Sequence, residues 1–160
     1  MMIMIKNACV YLINKYGYVM MIKCRRSRLW MTAGGKIEKN ETPYECMIRE
    51  FNEETNQYFP VNRSRLLLNM SWKDTQIFLV LTDQTFQRKL INTRESCDLK
   101  FIHYKKFSNN HYIKRYVKNS FRDLNIYQLI ESNTIELDTI KNTIESNTVE
   151  LDTIKNTIEN

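Results

Sequence analysis

Gly35-Lys36-Ile37-Glu38-Lys39-Asn40-Glu41 is followed, after seven intervening residues, by Arg49-Glu50-Phe51-Asn52-Glu53-Glu54. Between and through these stretches, residues 42–55 read as a helix, because Tyr44, Ile48, Phe51 and Thr55 recur at intervals of three and four and form an apolar stripe for burial. Positions three and four apart on a helix lie side by side, so Glu50, Glu53 and Glu54 share the neighbouring face. Carboxylates that close repel one another, which makes little sense in a structural helix unless a cation sits among them. Magnesium, a hard ion that takes oxygen ligands and is commonly shared with a substrate's phosphates, is the natural occupant, with manganese as the alternative.

The pattern resembles the Nudix box, Gly-x5-Glu-x7-Arg-Glu-U-x-Glu-Glu-x-Gly-U, where U is bulky and apolar. Gly35, Glu41, Arg49, Glu50, Phe51, Glu53 and Glu54 match; Asn56 replaces the later glycine and Gln57 the final apolar residue. Asn56 is a mild departure, because asparagine follows glycine in tolerating the left-handed conformation that ends a helix. With each charged residue type at about 6% usage, five of them at preset offsets arise by chance on the order of once in 10⁴ chains of this length. The bland reading, an acidic solvated helix face, rarely comes behind a double glycine in this register.

Outside the box, residues 9–13 and 18–24 read as apolar strands joined by a turn at Asn14-Lys15-Tyr16-Gly17, and residues 66–72 and 76–81 as a strand pair around Lys73-Asp74. Residues 99–104 add a strand. Residues 109–130 carry Ile113, Tyr116, Val117, Phe121, Leu124 and Tyr127 at helical spacing and predict one amphipathic helix. This order suits the α/β fold that the resemblance implies, an α/β/α sandwich with a mixed sheet and two main helices. The expected organisation is a Nudix hydrolase domain over residues 1–129 and an acidic repeat tail over residues 130–160.

The tail reads IESNTIELDTIKNT from Ile130 and IESNTVELDTIKNT from Ile144, a period of 14 residues, or two heptads. Ile130, Leu137, Ile144 and Leu151 share one heptad position, so a helix that joins copies of the chain into a homo-oligomer is one reading. A frayed or disordered extension is the other, since threonine and asparagine are poor helix formers. Residues 1–129 hold 22 basic and 11 acidic side chains, which suits a phosphate-rich partner. The frequency of asparagine, isoleucine and lysine (17, 17 and 14 residues) is also what an AT-rich coding genome, such as that of a large DNA virus, produces. Cys9, Cys24, Cys46 and Cys97 lack Cys-x-x-Cys spacing and read as free thiols of a cytoplasmic protein. The apolar run at the start is too short for a signal peptide or membrane span.

By resemblance the protein is an enzyme, a nucleotide pyrophosphohydrolase that splits the phosphoanhydride of a nucleoside diphosphate derivative with water. Glu53 and Glu54 then match the main metal ligands, aided by the carbonyl of Gly34, and Glu50 completes the metal site or orients the water. Arg49 would hold Glu50 or Glu53 by a charge-assisted hydrogen bond. A further carboxylate from a later loop is expected, with Glu95 first and Asp98 and Asp83 behind it. For the substrate, Trp30, Gly35, Lys36 and Phe78 are the expected contacts, with Trp72 and Tyr11 as other aromatics able to stack on a base. The approach from Leu29 to Lys36 looks most like members that act on oxidised or noncanonical nucleoside triphosphates. Capped RNA is the alternative substrate, favoured by the basic body, and a noncatalytic nucleotide-binding module is a distant third.

Overall fold

The computed structural model describes residues 2–86 and 91–134. Its centre is a mixed sheet with β1 (Asn7–Ile13), β2 (Tyr18–Cys24), β3 (Trp30–Met31), β4 (Gly34–Lys36), β5 (Ser64–Trp72), β6 (Thr75–Thr82) and β7 (Ser96–His103). β1 runs parallel to β6 in unbroken register from Asn7 opposite Thr75 to Ile13 opposite Leu81, while the other pairings are antiparallel. Parallel strands need cover on both faces, and β1 has it. Ala8, Val10 and Leu12 point to one core with Met47 and Phe51 of α1 (Pro43–Thr55). Cys9, Tyr11 and Ile13 point to a second core with Val117 and Phe121 of α2 (Arg115–Asp123) and Ile126 and Ile130 of α3 (Ile126–Asn133). The expected sandwich is therefore present, with three helices where two main ones were predicted.

The sheet forks beside β1. β1 and β2 meet at Ile13 opposite Val19, whereas at the other end of β1 its partner is β4, with Cys9 opposite Gly34 and Ala8 opposite Gly35. A Cβ on Gly34 would overlap Cβ of Cys9 and the carbonyl of Ala8, so only glycine lets the strands approach this closely.

The predicted turns at Asn14 to Gly17 and at Lys73-Asp74 are both found, with Gly17 and Lys73 in the left-handed region. The single helix expected over 109–130 is instead two. Asn125 adopts φ 53° and turns the chain between α2 and α3, and residues before Arg115 form a loop that pairs Ile113 with Trp30. α3 carries past Leu129, and Ile130 is fully buried in the second core, so the folded body extends beyond the expected boundary. The repeat and its coiled-coil reading lie outside the described residues except for 130–134. The stripe on α1 is also rotated. Phe51 and Thr55 are buried as expected and Ile48 packs half-buried against the first core, but Cys46 and Met47 are the other fully inward residues, and Tyr44 is exposed. Among the described residues, Nε2 of Gln57 is buried without a hydrogen-bond partner, so the departure from an apolar residue leaves a polar atom unsatisfied there. No described helix is long and apolar enough to cross a membrane.

Ending the chain after Thr134 should leave a cooperative unfolding transition, whereas Ile130→Ala should destabilise it by about 2–5 kcal/mol, as for other large-to-small core changes. Urea denaturation of the two variants checks this, and an unaffected Ile130→Ala midpoint would place Ile130 outside the core.

Candidate active site

α1 begins where its sequence says it should. Thr42 Oγ1 accepts from the Glu45 amide at 3.2 Å, the Glu45 carboxylate accepts from the Thr42 amide at 2.8 Å, and Pro43 opens the first turn. Asn56 closes the helix at φ 53°, the left-handed conformation expected of it.

On the face toward the forked sheet, Arg49 binds several acceptors at once. Its Nε and Nη2 donate to the two Glu41 oxygens at 2.7 and 3.0 Å, and Nη2 also reaches the Lys36 carbonyl at 3.1 Å. Nη1 donates to Glu50 at 2.8 Å and to Glu53 at 3.4 Å. Arg49 thus holds both of the carboxylates expected of it, and Glu41 besides. Hydrogen bonding to Arg49 draws the Glu41 carboxyl down to about 2.

The acids separate into distinct environments. Glu54 is 3% exposed and accepts from the Gly34 amide at 3.0 Å, while the Glu53 side chain is 61% exposed at the solvent side of Arg49. Glu50 lies over Gly35, where a Cβ would overlap its carboxyl group. Glycine there lets Glu50 keep this position. Burial pushes Glu54 up to about 9, with the nearby charges of Glu50 and Glu95 adding to the rise and the Gly34 amide opposing it. Burial also raises Glu50.

Glu95 is the loop acid that the structure brings to Glu54, lining with it and Gly34 a cavity of about 620 Å³. Asp83 is instead paired with Arg63 at 2.9 Å, and Asp98 lies within β7 opposite Lys23. The loop bearing Glu95 is held by Arg25, whose amide donates to the Glu95 carbonyl at 2.8 Å and whose guanidinium binds Asn92, the Thr93 carbonyl and the Ser96 carbonyl. Arg25, Arg26, Arg94 and Lys114 also line the cavity. The arginine run before β3 and the basic second helix stand out in the sequence without being assignable to the site; their convergence depends on the β2–β7 pairing.

Two aromatic expectations are corrected. Phe78 is 2% exposed beneath α1, and Trp30 is 6% exposed within the second core, with the Lys100 ammonium 4.4 Å from its ring centre. Neither ring is open to a base. Tyr11 is likewise buried and hydrogen-bonded to Ser120. Lys36 is exposed at the end of β4 and contributes its carbonyl to Arg49.

Residues 5–121 match the family model of the NUDIX domain. This chain belongs to the Nudix hydrolase family. Similar solved structures include the C. elegans Ap4A hydrolase in a binary complex (12% identity, 77% of this chain and 98% of that one, TM-score 0.60). Others are a mutant of the Bacillus subtilis pyrophosphohydrolase BsRppH (21%, 82% and 84%, TM-score 0.57) and the MutT protein of Methanosarcina mazei Go1 (15%, 78% and 94%, TM-score 0.53). At these identities they establish the shared fold. No curated protein matches the sequence.

Nudix hydrolases generally use divalent metals. Among the described residues no three acidic, histidine or cysteine side chains are already closed into a ligand set. The donors nevertheless suit a hard cation, because Glu54 is a desolvated carboxylate with Glu50 and Glu95 close enough to raise its proton affinity. The folded state then binds more protons than the unfolded one between the free glutamate value of about 4.3 and the folded value of about 9, so stability of the metal-free protein falls as pH rises through that window. In EDTA, the melting temperature should fall between about pH 6 and pH 8.5, and Glu54→Gln should flatten that slope. Equal slopes in the two proteins, read by scanning calorimetry, would contradict the buried carboxyl.

Proposed function

We propose that this Nudix hydrolase cleaves the phosphoanhydride of a nucleoside di- or triphosphate derivative, a noncanonical or oxidised nucleoside triphosphate in the first instance, with Mg²⁺ and with Mn²⁺ as a substitute. The observation that carries this reading is the buried Glu54 carboxylate, hydrogen-bonded to Gly34 in a cavity that Arg25, Arg26, Arg94 and Lys114 also line. Glu54 and Glu50, with Glu53 from the solvent side and the Gly34 carbonyl as the family resemblance suggests, would hold the ion. When bound there, it neutralises phosphate oxygens and lowers the pKa of a water it holds.

The chain's own residues supply the rest. Arg26, Arg94 and Lys114 bind the outer phosphate oxygens through charge-assisted hydrogen bonds. Glu50, whose proton affinity burial has raised, is suited to accept the proton of the attacking water, and Glu95 stands across the cavity as ligand or alternative base. Arg49 fixes the Glu50 rotamer, and Arg25 fixes the loop that carries Glu95. The catalytic unit is residues 1–134.

A second reading, hydrolysis of capped RNA, is favoured by a separate groove of about 660 Å³ along α2, where His111, Arg115, Lys118 and Arg122 gather. Phosphates of a long RNA would follow such a surface.

A panel of purine triphosphates and capped RNA, assayed with magnesium at low and physiological salt, separates the readings. On the nucleotide reading, Glu54→Gln and Glu53→Gln each lower turnover at least ~100-fold, KM changes modestly with salt, and reversing Arg115 and Lys118 to glutamate leaves nucleotide turnover nearly unchanged. Strong, salt-sensitive activity on capped RNA that those reversals abolish, with free nucleotides barely cleaved, would replace the first reading by the second. Unaltered turnover in both glutamine variants would remove the metal assignment.

A further inference from the structure

We propose that the groove along α2 is a second, noncatalytic binding site, one that takes the phosphate chain of a small polyphosphate. The nucleotide reading above leaves this groove without a ligand. Arg115, Lys118 and Arg122 stand three and four residues apart on one face of α2 and rise over about 10 Å, and His111 joins them from the preceding loop. Leu29, Ile113 and Tyr127 supply the apolar part of the lining of the same cavity, which measures about 660 Å³. Its lining shares no residue with that of the catalytic cavity. Residues 113–116 alternate between the two, with Ile113 and Arg115 lining the groove and Lys114 and Tyr116 the catalytic cavity. This segment therefore separates two sets of cations, and an anion can be held on each side of it.

The backbone of the groove is tied down on both sides. The Trp30 amide donates to the Tyr112 carbonyl at 2.7 Å, and the Lys114 amide donates to the Trp30 carbonyl at 2.9 Å. Asn110 closes the loop, since its side chain accepts from the Tyr112 amide at 2.9 Å and its carbonyl accepts from the Lys118 ammonium at 3.2 Å. A frame fixed in this way loses little freedom when a ligand arrives. Its polar groups are unspent: among the described residues, the side chains of Ser108, His111, Arg115 and Asn119 make no hydrogen bond or ion pair. The described lining contains no acid, in contrast to the catalytic cavity with Glu54 and Glu95. Guanidinium, ammonium, hydroxyl and amide donors without a carboxylate among them suit phosphoryl oxygens directly, with no metal ion between. The cationic stripe also stops. The Asp123 carboxylate binds Arg122 at 2.9 Å and accepts from the Trp72 indole at 3.0 Å, which sets negative charge beyond the last arginine. A chain of two or three phosphoryl groups ends before it, whereas a longer backbone running past Arg122 meets a like charge.

The test titrates inorganic tripolyphosphate into the full chain in EDTA, where no metal assists binding, and follows amide resonances by NMR. Saturable shifts are expected across residues 108–122. Arg115→Glu with Lys118→Glu should weaken those shifts at least about tenfold in affinity, the size of one lost charge-assisted hydrogen bond or more. Unmoved Gly34 and Ala8 amides in the free variant would show that the sheet is intact. A purine nucleoside triphosphate, titrated in the same way, identifies the source of the phosphates. Tighter binding than tripolyphosphate, with added shifts at the Leu29 and Ile113 methyl groups, marks a nucleotide, and equal binding marks an inorganic chain; either supports the site. Absence of saturable shifts at residues 108–122, or equal affinity in the folded double variant, would overturn it. So would a single-stranded RNA that binds this face more than about tenfold tighter than tripolyphosphate at equal phosphate concentration, since the groove would then be a nucleic-acid surface.

Discussion

The guanidinium of Arg49 is the constraint around which this site is organised. One planar group binds Glu41 through both of its oxygens, holds Glu50 and Glu53 on its own helix, and takes the Lys36 carbonyl at the end of β4. It therefore joins β4, the loop after it and α1 in one set of bonds. Lysine could supply the charge but not the fixed fork of donors. Because Glu41 and Glu50 are mostly withdrawn from water, loss of Arg49 would leave them uncompensated against one another. The spacing of the box is thus a spacing of carboxylates around a single cation carried by the chain, with Glu54 beyond it on α1, bonded to the Gly34 amide of the sheet.

The glycine pair and the fork in the sheet do the complementary work. β1 keeps its β6 partner along its whole length but exchanges β2 for β4 on the other edge. At that exchange Gly34 offers its amide to Glu54, and Gly35 leaves room for Glu50. The loop carrying Glu95 is brought across from β7 and pinned by Arg25. Acids from one helix and one distant loop lie beside Arg94 of that loop, Arg25 and Arg26 after β2 and Lys114 before α2, a mixture of charges suited to phosphates and a divalent ion.

Much of this was legible in the sequence because local chemistry fixes it. Thr42, Pro43 and Glu45 start α1, Asn56 ends it, and Gly17 and Lys73 mark real turns. What was hidden depends on elements far apart in the chain. Strands buried on both faces give continuous apolar runs without alternation, so residues 77–80 could not reveal that Phe78 faces α1 while Ile77 and Leu79 face α2 and α3. Trp30 likewise looked available until the loop after β7 and the start of α2 covered it. The periodicity of α1 gave the helix but not its rotation, in which Met47 faces inward and Tyr44 outward while Glu54 accepts from the Gly34 amide. The break at Asn125 interrupts an otherwise unbroken helical pattern; asparagine's tolerance of the left-handed region was its only local sign.

The central claim is that Arg49 organises carboxylates into a divalent-metal centre, and Mn²⁺ binding followed by electron paramagnetic resonance tests it without requiring the substrate. In Arg49→Lys, with far-ultraviolet circular dichroism unchanged, the account predicts Mn²⁺ affinity at least about tenfold weaker than in the parent, as when groups orienting metal ligands are altered elsewhere. Affinity equal to that of the parent would contradict it.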